Sequence, residues 1–146
     1  MTLFAGSLNC KPVPKGRPRV GKWGGVFTPK ETRNFEKLVK DWVKVLYTKK
    51  PSEKALKVNI SFYFKRAKSN TKKLHTQKPD LDNVAKSILD SIEGILFVND
   101  SQIVEMNLNK YFADYVNEGF TITIWEQEYE KNEPTTTKTT KRGVKK

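Results

Sequence analysis

Leu56, Val58, Ile60, Phe62 and Phe64 alternate without a break with Lys57, Asn59, Ser61 and Tyr63. Successive side chains of a strand point to opposite faces, so this order predicts a β-strand with one face in a core. No other stretch is as restrictive. A strand this apolar on one side needs partners at its edges and a layer over that side. The partners are legible: residues 1–9 hold a short apolar run, Val104, Met106 and Leu108 alternate, and so do Phe120, Ile122 and Ile124. The segment "ADYVNEG", residues 113–119, joins the last two runs and suits a hairpin.

The covering layer follows from a different period. Phe35, Leu38, Val39, Trp42, Val43 and Leu46 recur at three- and four-residue spacing, as do Leu81, Val84, Ala85, Ile88, Leu89 and Ile92. Each set is the apolar stripe of an amphipathic helix. Thr28 as N-cap, Pro29 at the first helical position and Glu31 at the third mark the start of the first helix, which should end near Tyr47. Gly94 stops the second. "KPVPKGRPRVGKWGGVFTP", residues 11–29, reads as a loop with a short strand near Val26 and Phe27. "KRAKSNTKKLHTQK", residues 65–78, has no apolar period and reads as a cationic loop. Residues 129–146 are rich in Thr and Lys and poor in hydrophobes, which predicts a disordered basic tail after a single domain over 1–128.

Composition narrows the chemistry. One cysteine, Cys10, excludes an intrachain disulfide and a cysteine-rich zinc site, and one histidine, His75, excludes chemistry that needs a histidine pair. The N-terminus lacks a basic leader with a long apolar run, and no segment approaches the length of a membrane span. The expectation is a cytoplasmic protein with no membrane partner. A net charge of +12 suggests a polyanionic partner, although a solvated lysine-rich surface would give the same total. The tail holds only +4 of it, so the domain is basic too.

Against that background one segment is acidic. Between Asp80 and Glu105 there are six acids, namely Asp80, Asp82, Asp90, Glu93, Asp100 and Glu105, and one cation, Lys86. Cations that hold phosphates around carboxylates that hold a metal are what a nuclease requires. A plainer reading stands beside it. Asp80 is a good N-cap and Asp82 suits the first turn of a helix; Asp100 before a strand is an ordinary turn residue. An EF-hand is excluded because Val84 and Ala85 occupy positions that need a ligand and a glycine. If Asp80, Asp82 and Asp100 converge, repulsion decides. Two carboxylates about 4 Å apart repel by about 4 kcal/mol at an effective dielectric of 20, so a cluster implies a bound cation. Oxygen ligands without histidine or cysteine suit Mg²⁺, or Mn²⁺ in its place, rather than Zn²⁺. Lys86, four residues after Asp82, either pairs with it or contacts a scissile phosphate, with Asp90 in support.

"PDLDNVAKSILDSIEG", "NDSQI" and the N-terminal "PVPKGRPR" together resemble the RusA family of Holliday junction resolvases, across most of residues 1–125. The family's motif aspartates match Asp80, Asp82 and Asp100, and its catalytic lysine matches Lys86. Asn99 departs from relatives that carry a second aspartate there. The resemblance implies a homodimeric, Mg²⁺-dependent endonuclease that makes paired nicks in four-way DNA junctions, with no small-molecule cofactor. The fold it implies agrees with the elements above: α+β, a mixed β-sheet packed against two main amphipathic helices.

Lys15, Arg17 and Arg19 are candidates for phosphate contacts, on a loop stiffened by prolines. Lys65, Arg66, Lys68, Lys72 and Lys73 form a candidate second basic lip. Trp23, within "GKWGG", either stacks on an exposed base or plugs the core. Two rival functions remain at this point: a nuclease for flaps, forks or other branched DNA, and a non-catalytic DNA-binding protein whose aspartates cap a helix.

Overall fold

A computed structural model describes residues 1–17, 19–27 and 29–128 of the chain. A four-stranded sheet is built from β1 (Thr2–Asn9), β4 (Leu56–Phe64), β5 (Ile103–Phe112) and β6 (Gly119–Glu126), in the order β1-β6-β4-β5. β4 and β5 are parallel; the other two pairings are antiparallel. A small hairpin, β2 (Arg19–Val20) with β3 (Val26–Phe27), stands outside this sheet. Two helices complete the α+β fold, α1 (Lys30–Leu46) and α2 (Leu81–Ile92).

The expected strand over 56–64 is β4, and all five of its alternating apolar residues are buried. It is the centre of the molecule. One face meets Phe35, Val39 and Val43 of α1 and Val84, Ile88 and Ile92 of α2 in one apolar cluster. Phe4, Trp42, Phe120 and Phe62 add edge-on and tilted ring contacts at 5.5–6.3 Å. Each large apolar side chain sealed here contributes about 1.5–3 kcal/mol.

The expected hairpin between the last two strands is not formed. β5 and β6 lie on opposite edges of β4 and do not pair. The reason is connectivity. α2 crosses over the core face and returns the chain parallel to β4, which fills one edge; the reversed strand that follows then takes the other. Short-range turn residues carry no information about which edge is free. The start of α1 also differs, by one residue: Pro29 occupies the cap position, and its carbonyl accepts the Arg33 N–H at 3.1 Å. The expected Thr28 cap and the expected tail over 129–146 lie outside the described residues. Among the described residues no helix is long and apolar enough to cross a membrane.

Candidate metal and phosphate site on helix α2

The crossover from β4 through α2 to β5 positions the acidic segment. Asp80 is the N-cap of α2, but its carboxylate accepts no capping hydrogen bond. Asp82 follows in the first turn, and Lys86 and Asp90 repeat at four-residue spacing along one face. Glu93 ends the helix, and Gly94, at φ +87°, reverses the chain where an L side chain would be strained.

The return to β5 is held tightly. Ser52 and Val98 exchange backbone hydrogen bonds with this turn, through Leu96 O at 2.9 Å and Ser52 O at 3.2 Å. Gln102 Nε2 donates to Ser52 O and Lys54 O, both at 2.9 Å. Asn99 and Gln102 form a capping box around the short helical turn Asp100–Gln102: the Asn99 side chain accepts the Ser101 N–H, while Gln102 Oε1 accepts those of Val98 and Asn99. The Asn99 side chain is thereby committed to the turn, through an oxygen that an aspartate would also supply. Asp100 is left exposed beside α2, its N–H donating to Glu93 Oε2 at 3.3 Å.

Asp82, Lys86, Asp90 and Asp100 therefore share one cavity of about 200 Å³, with Ala85, Leu89, Met106 and Leu108 as its apolar lining. Asp80 lines a second cavity of about 470 Å³, together with Lys11, Lys15, Lys65, Lys78 and His75. Of the three expected metal ligands, Asp82 and Asp100 thus line one cavity, while Asp80 lines the other. Among the described residues, Asp90, Glu93 and Asp100 form a group with oxygens all within 4.8 Å of one another. Oxygens on opposite sides of a Mg²⁺ held at about 2.1 Å would be about 4.2 Å apart, so this spacing is close to what one ion requires. Glu93 was counted in the acidic segment but was not among the expected ligands. Its signal was available, because Asp90 and Glu93 are three apart on the helix face that carries Lys86.

Lys15 is where sequence reading was most incomplete. Its ammonium sits 2.7 Å from Glu36 of α1 and 3.0 Å from Asp90 of α2, and its backbone N–H donates to Asn83 O at 3.0 Å. Burial alone would lower its pKa, but hydrogen bonds to Glu36 and Asp90 prevail and raise it. Asp90 also faces Lys86 at 3.6 Å. Lys15 thus ties the N-terminal loop to the acidic face.

The other expected cations divide. Arg17, Lys65, Lys68, Lys72 and Lys73 are exposed. Arg66 is occupied with its own loop: it pairs with Asp114 at 2.9 Å, donates to Asn70 O and Lys72 O, and lies 3.8 Å over the Phe112 ring. Arg19 is in β2, and its side chain lies outside the described residues. His75 is buried between Phe64 and Phe112, at 4.8 and 4.9 Å, with Nδ1 unpartnered. Cys10, its thiol pushed up to about 11 by burial and by Glu118, is no nucleophile at neutral pH.

Comparison with known proteins bears on the same residues. The family model described as Endodeoxyribonuclease RusA matches residues 9–125, which include both cavities. The uncharacterized protein YqaN of Bacillus subtilis (strain 168) is 25% identical over 120 residues, covering 71% of this chain and 84% of that protein.

Proposed function

Because the chain belongs to the RusA endodeoxyribonuclease family, we propose that it resolves four-way DNA junctions by paired, symmetric nicks, as a Mg²⁺-dependent homodimer. The observation that carries this reading is the cavity that collects Asp82, Lys86, Asp90 and Asp100 from two elements. Capping alone explains neither the gathering nor the idle Asp80 carboxylate.

Asp80, Asp82 and Asp100 are the proposed ligands, with Asp90 and Glu93 as the carboxylates nearest Asp100. A bound Mg²⁺, or Mn²⁺, would supply Lewis acidity to a phosphate oxygen and to water. The chain supplies the rest. Lys86, its side chain 59% exposed and 3.6 Å from Asp90, is the proposed partner of the charge that grows on the phosphate oxygens during displacement. The apolar lining of Ala85, Leu89, Met106 and Leu108 limits competing water. Water adds to phosphorus as the bond to the 3′ oxygen breaks; the water's proton is lost and the leaving oxygen gains one. The products are a 5′-phosphate and a 3′-hydroxyl. Exposed Arg17, Lys65, Lys68, Lys72 and Lys73 are the proposed backbone contacts, and two copies related by a dyad suit a junction of matching symmetry.

The test is Asp82→Asn in the purified chain, on synthetic four-way junctions, flaps and plain duplexes with and without Mg²⁺. Cleavage falls by more than about a hundredfold, since even residues that merely support a ligand are worth 10–100-fold. Junction binding persists or tightens, because a negative charge beside phosphate is gone. Retained cleavage removes Asp82 from the site. Equal wild-type rates on all three substrates defeat junction specificity.

A further inference from the structure

The β2–β3 hairpin has no role in the site described above, and its tip is unusual. Trp23 is 93% exposed, so it does not plug the core. Lys22 and Trp23 are the central residues of a turn closed by the Gly24 N–H to Gly21 O at 3.0 Å. Gly24 sits at φ +89°, and a Cβ at Gly24 or Gly25 would meet nothing within 4 Å. The turn around both glycines is therefore open to its surroundings. An indole in water on an exposed turn is a group without its partner.

The arm is rooted on the candidate site. Ser87 Oγ of α2 donates to Val13 O at 2.6 Å, and Lys15 reaches Asn83 and Asp90 of the same helix. Gly16 N–H donates to Thr32 Oγ1 at 3.0 Å, and a side chain at Gly16 would collide with Pro29 and Thr32. Seven residues separate Gly16 from Trp23, a reach of at most about 25 Å at 3.3–3.6 Å per residue. A nucleic-acid strand advances about 3.4 Å per nucleotide in a duplex, so the tip falls within about seven nucleotides of that root. Residues 11–30 contain six cations and no acid. An apolar flat ring on an arm of one charge sign suits a polyanion that also offers flat rings.

We propose that Trp23 stacks on a nucleobase exposed where DNA strands part, a base-binding site separate from the acidic cavity. The inference rests on the branched-DNA reading and names what part of that substrate this arm takes. Stacking on an aromatic ring is worth about 1–3 kcal/mol per base, which corresponds to about 5- to 150-fold in affinity.

The experiment compares the full chain with Trp23→Ala and Trp23→Phe on three DNAs: a four-way junction carrying 2-aminopurine at the branch, a duplex with one bulged 2-aminopurine, and a plain duplex. The expected result is about a tenfold or greater loss of junction and bulge affinity for Trp23→Ala, with plain-duplex affinity unchanged. Trp23→Phe should recover most of it, and wild-type binding should quench 2-aminopurine where Trp23→Ala does not. Unchanged affinity for junction and bulge, or an equal loss on all three DNAs, overturns the proposal. Wild-type cleavage that ignores branching would sink the junction reading separately, and the bulged duplex would still decide for or against Trp23.

Discussion

The two cavities that flank α2 share a helix and differ in almost everything else. The smaller sets Asp82, Asp90 and Asp100 against one lysine over an apolar lining. The larger is bordered by Lys11, Lys15, Lys65 and Lys78, with Asp80 and Glu118 as its acids. The charge of the lining residues reverses between these two cavities, which both border α2. One helix thus borders an acidic and a basic cavity, and on the proposed function the first would take the cation and the second the phosphates. Two residues cross that boundary. Asp80 lies on the basic side although its sequence partners are on the acidic side, and Lys15 lines the basic side while its ammonium pairs with Asp90.

Asp80→Asn tests the comparison hardest. We expect cleavage to fall by more than about a hundredfold, as for Asp82→Asn, because the first turn of α2 is to serve the acidic side once a cation is present. Cleavage close to wild type, with tighter DNA binding, would assign Asp80 to the basic cavity alone.

Lys15→Met should act next most strongly. Removing it takes the Lys15 ammonium from Glu36 and leaves Asp90 facing Lys86, a loss of about 1.5–3 kcal/mol for hydrogen bonds to charged groups. The raised pKa fixes the sign: its stabilisation is complete at neutral pH and fades only as pH climbs past about 10.5. Urea denaturation at pH 7 should show the loss, and Mg²⁺ should restore stability to the variant more than to wild type. No difference in the Mg²⁺ response would separate the two cavities.

The smallest effect is expected at His75. Burial, then the nearby Lys110 ammonium, lowers its pKa below 6.5, so the fold favours the neutral ring. Its contribution is present above pH 6.5 and is lost as pH falls below that. Urea midpoints between pH 7 and pH 5 should decline less in His75→Phe than in wild type. Parallel declines would show that the basic cavity does not depend on an uncharged ring.

Local pattern carried much of this molecule. The alternation at 56–64 specified β4, and the stripe stopped at Gly94 specified α2 to within one residue. Helix spacing put Asp82 and Lys86 on one face, but left open whether Asp100 would join them, because that depends on the return after Gly94. The sheet order was not, since Phe120 and Met106 carry the same alternation whichever edge of β4 they join. Nor was the Lys15 network: Glu36 is 21 residues away and Asp90 is 75, and an ion pair leaves no periodic trace. Trp23 was legible as an alternative between plug and probe; only its exposure separated the two.

The place of β1 bears on timing during synthesis. It hydrogen-bonds to β6 and to no other strand of the sheet, and β6 is made after both walls of the acidic cavity. Everything from Leu56 to Leu108 leaves the ribosome before the N-terminal strand has an edge to join. The growing chain thus carries its carboxylates before the segment bearing Lys15 has that anchorage, and the last strand completes a link that its first twenty residues were waiting for.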